Sequence, residues 1–193
     1  MNSIVTRFRT RIALAILAAL GSLMVILAVP ATAAPNQVQW INHFSLLPGD
    51  PSVTTTFNAV SSGVGGGLTG LVIRSSTTGS TASGGGNKVV HTAVEAPPNY
   101  TIQGVRVCYE LTNARSFINQ IRLAQVQNPP ATAVVRLDDA TPRTAVGPVC
   151  VDSQNTSVDP AVGAVLLSLR TNFGNTSDRI VIRGLGLRLV PKP

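Results

Sequence analysis

The stretch Thr101-Ile102-Gln103-Gly104-Val105-Arg106-Val107-Cys108-Tyr109-Glu110-Leu111 alternates apolar and polar side chains from Val105 onward. Val105, Val107, Tyr109 and Leu111 fall on one side of an extended chain and Arg106, Cys108 and Glu110 on the other, the period of a half-buried β-strand. Cys108 is one of only two cysteines. The other, Cys150, sits between Val149 and Val151, so the same phase turns both thiols away from the core. A disulfide between Cys108 and Cys150 then pins two distant stretches of one sheet structure. Their separation of 42 residues is unlike any Cys-x-x-Cys metal or redox pattern.

Working outward, residues 1–33 read as a secretory signal peptide. Arg7, Arg9 and Arg11 precede an apolar run from Ile12 to Val29, and Ala31-Thr32-Ala33 forms an A-x-A cleavage site. Pro30 and the small residues after it favour removal over stable membrane insertion, and no cysteine follows to carry a lipid. Residues 34–193 read as a single secreted domain, and export into an oxidising space favours the structural disulfide. Three of the fifteen Lys and Arg leave with the signal, so the formal charge drops from +7 to +4 against eight acids. That excess is too mild to argue for nucleic acid as a partner. Ten of the twelve remaining cations are Arg, whose planar fork suits bidentate contact with carboxylate or phosphate.

From Val38, the residues Val38, Trp40, Phe44 and Leu46 predict a first strand with the only Trp facing the core. Val53, Thr55, Phe57 and Ala59 predict the second, after a Pro48-Gly49-Asp50-Pro51 turn. Ser61–Gly67 and Ser75–Asn87 are Ser- and Gly-rich and read as flexible loops around a short strand at Leu68–Arg74. Val90, Thr92 and Val94 alternate next. Asn113–Gln127 is ambiguous, since Phe117, Ile121 and Ala124 fit a helix whereas Ile121 and Leu123 alternate as a strand; the strand reading over Phe117–Val126 agrees with its neighbours. Ala133, Val135 and Leu137 form one inward row, and Val165, Leu167, Leu169 and Phe173 another. In the last segment Ile180 and Ile182 lie on the even side but Leu185, Leu187 and Leu189 on the odd, which predicts a β-bulge near Arg183-Gly184. Nine or ten short strands without a firm helix make the chain all-β: an antiparallel β-sandwich, jelly-roll-like, with one disulfide. An immunoglobulin arrangement is disfavoured because Trp40 precedes both cysteines.

No catalytic constellation is legible. There is no Gly-x-Ser-x-Gly elbow, and both histidines, His43 and His91, fall on outward phases. Asp138, Asp139, Asp152 and Asp159 lie in predicted loops or strand ends that could meet at one end of a sandwich, where calcium is the candidate metal. Asp138, Asp139 and Asp152 are also the carboxylates on which an extracellular hydrolase would rest. Arg106, Arg122, Arg136, Arg170 and Arg188 all flank inward residues and so point outward, either as a solvated face or as an anion-binding surface for an acidic polysaccharide or other cell-envelope polymer. Tyr100, beside Pro97-Pro98, is the one aromatic whose position leaves it free to face a ligand. Three sequons, at Asn99, Asn155 and Asn175, carry meaning only in a eukaryotic secretory route. The reading that follows is a secreted, non-enzymatic β-sandwich that binds an extracellular polymer or builds a surface, as a homo-oligomer in the latter case; the hydrolase is the alternative.

Overall fold

A computed structural model describes residues 35–57, 70–127 and 132–193. Residues 1–33, Ala59, the Ser61–Gly67 segment and Pro129-Pro130 lie outside the described residues. Within them the chain forms eleven strands in two antiparallel sheets packed as a sandwich. The strands are β1 (Gln37–Ile41), β2 (Leu47–Pro48), β3 (Val53–Phe57), β4 (Leu71–Ser75), β5 (Val89–Val94), β6 (Tyr100–Leu111), β7 (Phe117–Gln127), β8 (Ala133–Asp139), β9 (Val149–Asp152), β10 (Gly163–Asn172) and β11 (Ile180–Pro191). The first sheet has the order β3-β4-β11-β6-β9, with β1 also pairing β11; the second is β2-β5-β10-β7-β8. The chain crosses repeatedly from one sheet to the other, as the jelly-roll reading requires.

The core forms where the inward rows of the two sheets meet. Ile102, Val105, Val107, Tyr109, Leu185 and Leu187 of the first sheet share one apolar cluster with Val90, Ile121, Leu123, Leu167 and Leu169 of the second. Each such fully buried side chain contributes roughly 1.5–3 kcal/mol by removal from water. β7 is a strand throughout, which settles the segment that periodicity left ambiguous. The pairing of β11 with β6 shifts register between Ile182 and Gly184, where the change of phase predicted a bulge.

Other bulges overturn expectations. A second shift in the same pair places Gly104 opposite Arg188 but Ile102 opposite Leu189, so Gln103 is the extra residue. Upstream of it the even residues face inward, and Tyr100 is buried at 8% exposure instead of free for a ligand. A shift between β7 and β8 leaves Arg136 between the Leu123–Leu137 and Ala124–Val135 pairs. Val135 therefore turns outward, with Leu137 and Asp139 inward, and the Nε of Arg136 donates to the buried Gln125 instead of facing solvent.

The first strand also differs from its predicted form. It stops at Ile41 because Asn42 caps a single 3₁₀ turn over His43–Ser45, so Val38 and Trp40 do not continue into Leu46. Gln39 faces the second sheet and donates to the Glu95 carbonyl, leaving Trp40 outside at 58% exposure. Phe44 and Phe57 are exposed too and meet edge to face at 5.4 Å. Ser75–Asn87, read as a flexible loop, is instead folded around the ammonium of Lys88, which is fully buried. Its Nζ donates to the carbonyls of Thr77 (2.5 Å), Thr78 (2.7 Å) and Gly79 (3.2 Å).

Candidate functional site

The outer face of the first sheet carries the arrangement with most chemistry. Register places Trp40 opposite Gly186, Gly186 opposite Arg106, and Arg106 opposite Asp152, a row running across β1, β11, β6 and β9. Beside it Gly184, Cys108 and Cys150 form a second row, closed by the Cys108–Cys150 disulfide. On the other side Val38, Arg188 and Gly104 form a third. Two glycines make room for the indole: a Cβ on Gly184 would lie 3.2 Å from Trp40 Cζ3, and one on Gly186 would lie 3.3 Å from Cε3. The ring therefore rests on the backbone of β11 and still presents most of its surface to solvent.

The polar groups of this face are fixed in place. Arg106 donates through Nε to Asp152 Oδ1 at 2.7 Å and through Nη2 to Oδ2 at 2.8 Å, a fork-to-fork pair. These hydrogen bonds hold the Asp152 carboxyl below the usual carboxylate range and push the Arg106 guanidinium up. Arg188 approaches the same carboxylate more loosely, Nη1 to Oδ2 at 3.4 Å, and its Nη2 donates to the amide oxygen of Asn155. A groove lined by Asn36, Gln37, Val38, Gln103, Arg188 and Leu189 runs alongside.

The five arginines of the sequence reading do not converge. Arg106 and Arg188 share the face just described, whereas Arg122, Arg136 and Arg170 belong to the second sheet. There Arg122 pairs Asp138 at 3.0 Å, Arg136 donates to Gln125 at 3.2 Å, and Arg170 donates to Ser80 at 3.0 Å. The four aspartates likewise go to separate cations: Asp138 to Arg122, Asp139 to Arg143, Asp152 to Arg106 and Arg188, and Asp159 to Lys192. Asp139 is sealed at 0% exposure, and burial alone would raise its pKa. Hydrogen bonds from Thr141 and Gln154 and the charge of Arg143 outweigh that and hold it low. Among the described residues no group of three His, Cys, Asp or Glu side chains could hold a metal ion. Burial pushes the pKa of His43 down, and His91 is exposed on the outside of the second sheet.

The residue that the sequence reading missed is Trp40. Gly184 and Gly186 were the available signal, because two glycines two apart in a strand mark a site of close approach.

No family model matches the chain, and no curated protein matches it. Among solved structures, it is similar to the family 22 carbohydrate-binding and family 10 glycoside hydrolase modules of Clostridium thermocellum xylanase 10B complexed with xylohexaose. There the identity is 10% and the TM-score 0.46, over 84% of this chain and 29% of that one. It is also similar to a xylan-binding domain of the same binding-module family, at 11% identity and TM-score 0.46 over 82% and 96% of the two chains. A third likeness is to a family 36 carbohydrate-binding module in complex with calcium and xylotriose, at 10% identity and TM-score 0.39 over 80% and 99%.

Proposed function

We propose that the domain is a secreted, non-catalytic module that binds an extracellular or cell-envelope polysaccharide, an anionic one, through the outer face of its six-stranded sheet. The observation that carries this reading is Trp40 laid over Gly184 and Gly186 with the Arg106–Asp152 fork next in the same row. An exposed indole offers an apolar plane to the C–H face of a pyranose ring. The adjacent guanidinium and carboxylate supply planar donors and acceptors to hydroxyl groups without further ordering cost, because they already hold one another. The face is open, which suits a polymer lying across it. Arg106 and Arg188 on this face, sharing the single carboxylate of Asp152, support an anionic chain.

The hydrolase alternative needs free carboxylates in one cleft, and Asp138, Asp139 and Asp152 are each bound to an arginine. Trp40 is the only Trp, so its fluorescence reports on this face alone. Soluble acidic polysaccharides are expected to blue-shift the emission and to retard the protein in affinity gels, more strongly than neutral ones. Trp40→Ala should abolish that retardation while leaving the unfolding midpoint nearly unchanged. Retardation of Trp40→Ala equal to wild type would remove this face as the site.

A further inference from the structure

We infer that the groove beside Trp40 is a carboxylate subsite in which Arg188 takes the acid group of a uronic acid unit, next to the sugar stacked on the indole. The inference rests on the binding role proposed for the Trp40 face and adds to it the chemical class of the ligand and the residue that selects it.

Charge balance is the first support. Asp152 is engaged by both arms of Arg106 at 2.7 and 2.8 Å, so it neutralises Arg106 before Arg188, whose nearest approach to it is 3.4 Å. The other partner of Arg188 is the neutral amide of Asn155. Arg188 is thus a cation with half a counter-ion.

Preorganisation is the second. Arg188 lies down over Gly104, where a Cβ would come within 3.1 Å of Nε and 3.2 Å of Nη2. The side chain is only 20% exposed, and its Nε is shielded from solvent without a hydrogen-bond partner. A guanidinium already stripped of part of its hydration gains more from an added carboxylate at its exposed Nη atoms than a solvated one does.

The lining is the third. Asn36, Gln37 and Gln103 bring amides that can bond hydroxyl groups, and no lining residue of the groove is acidic; Asp152, beside Arg188, is already held by both arms of Arg106. Arg188 follows Gly186 by two residues on β11, so its row lies about 7 Å from the indole row, the step of a neighbouring sugar unit. The indole beside the cation requires a ring with an apolar face, which favours an acidic sugar over a polyol phosphate chain.

The test uses the exported protein in affinity gels and calorimetry against polygalacturonate, alginate and glucuronoxylan, each beside its carboxyl-reduced form, with a polyol-phosphate teichoic acid and neutral xylan as further arms. The expected result is tenfold or greater weakening of wild-type binding on carboxyl reduction. Arg188→Gln should bind the acidic and reduced polymers alike, Arg188→Lys should fall between, and Arg122→Gln should behave as wild type. Thermal midpoints serve to exclude misfolded variants. Equal binding of both polymer forms by wild type, or unchanged preference in Arg188→Gln, overturns the subsite; Trp40→Ala still losing all binding would then leave the broader reading intact. Arg188-dependent retention on teichoic acid with none on the polyuronates overturns it in favour of phosphate. Retention of wild type only on neutral xylan also overturns it.

Discussion

Both outer faces of the sandwich carry an arginine forked onto an aspartate from the adjacent strand, Arg106 with Asp152 on the six-stranded sheet and Arg122 with Asp138 on the five-stranded one. What surrounds them differs. Across the first sheet the row continues into Gly186 and Trp40, and a second arginine, Arg188, leans on the same carboxylate. Across the second the same row reads His91, Ser168, Arg122 and Asp138, and the next reads Ala93, Leu166, Ala124 and Val135, aliphatic side chains that offer no aromatic plane. Asp138 is also more open to water than Asp152, 47% against 31%, while the two arginines are equally exposed. An ion pair on a sheet face is therefore not a site by itself. The indole, the glycines beneath it and the shared counter-ion distinguish one face from the other.

The disulfide is the largest lever on that contrast. It ties β9, and with it Asp152, to β6. Closing a loop of 42 residues constrains the unfolded chain by about 4 kcal/mol in loop-entropy terms. Replacing both Cys108 and Cys150 by Ser should lower the denaturant midpoint by a matching amount and weaken polysaccharide binding at the first face. A double variant with undiminished stability would show that strand pairing alone holds β9.

Asp139→Ala should cost about 3 kcal/mol, because it strips Arg143 of a buried partner and leaves the amides of Thr141 and Gln154 without an acceptor. The same carboxylates set the acid limit. Asp139, Asp152 and Asp178, the last held by hydrogen bonds from Arg115 and Ser116, titrate below the ordinary range in the folded protein, so the unfolded chain takes up protons first as pH falls. Their contribution is complete above about pH 5 and drains away towards about pH 2. Urea unfolding across that range should show wild type losing stability with acid and Asp139→Asn losing less; parallel slopes would refute the assignment.

Gly186→Ala should act on one face only. The added Cβ would lie 2.7 Å from Val38 Cγ1 and 3.3 Å from the indole, lifting the ring at a stability cost of about 1 kcal/mol. Binding should weaken several-fold with a shifted Trp emission, whereas Ala124→Val on the opposite face should leave both unchanged. Smallest of all is Arg122→Ala, expected to cost under about 1 kcal/mol as an exposed pair and to leave binding intact. A binding loss there would erase the distinction between the faces.

Several of these features were legible in the chain itself. Alternation identified the strands through Val90, Ile121, Leu167 and Leu187, and the phase jump between Ile182 and Leu185 located a bulge. The shared phase of Cys108 and Cys150 anticipated a disulfide that the register places directly across a strand pair. Those are local properties: a period of two and a change of phase are written along one segment. Trp40, Tyr100 and Arg136 were misplaced for a common reason. Alternation divides a strand into two sides, and which side meets the core depends on the partner's register, which one extra residue at Gln103 or Arg136 reverses. For β1, Val38 and Trp40 are the more apolar row and so pointed to the wrong inner face, with the polar Gln39 on the side that meets the second sheet. Only the tertiary pairing of Trp40 with Gly186, 146 positions later, set the indole outside. The strands and the disulfide were thus decided by sequence, and the binding face by the packing of strands far apart in the chain.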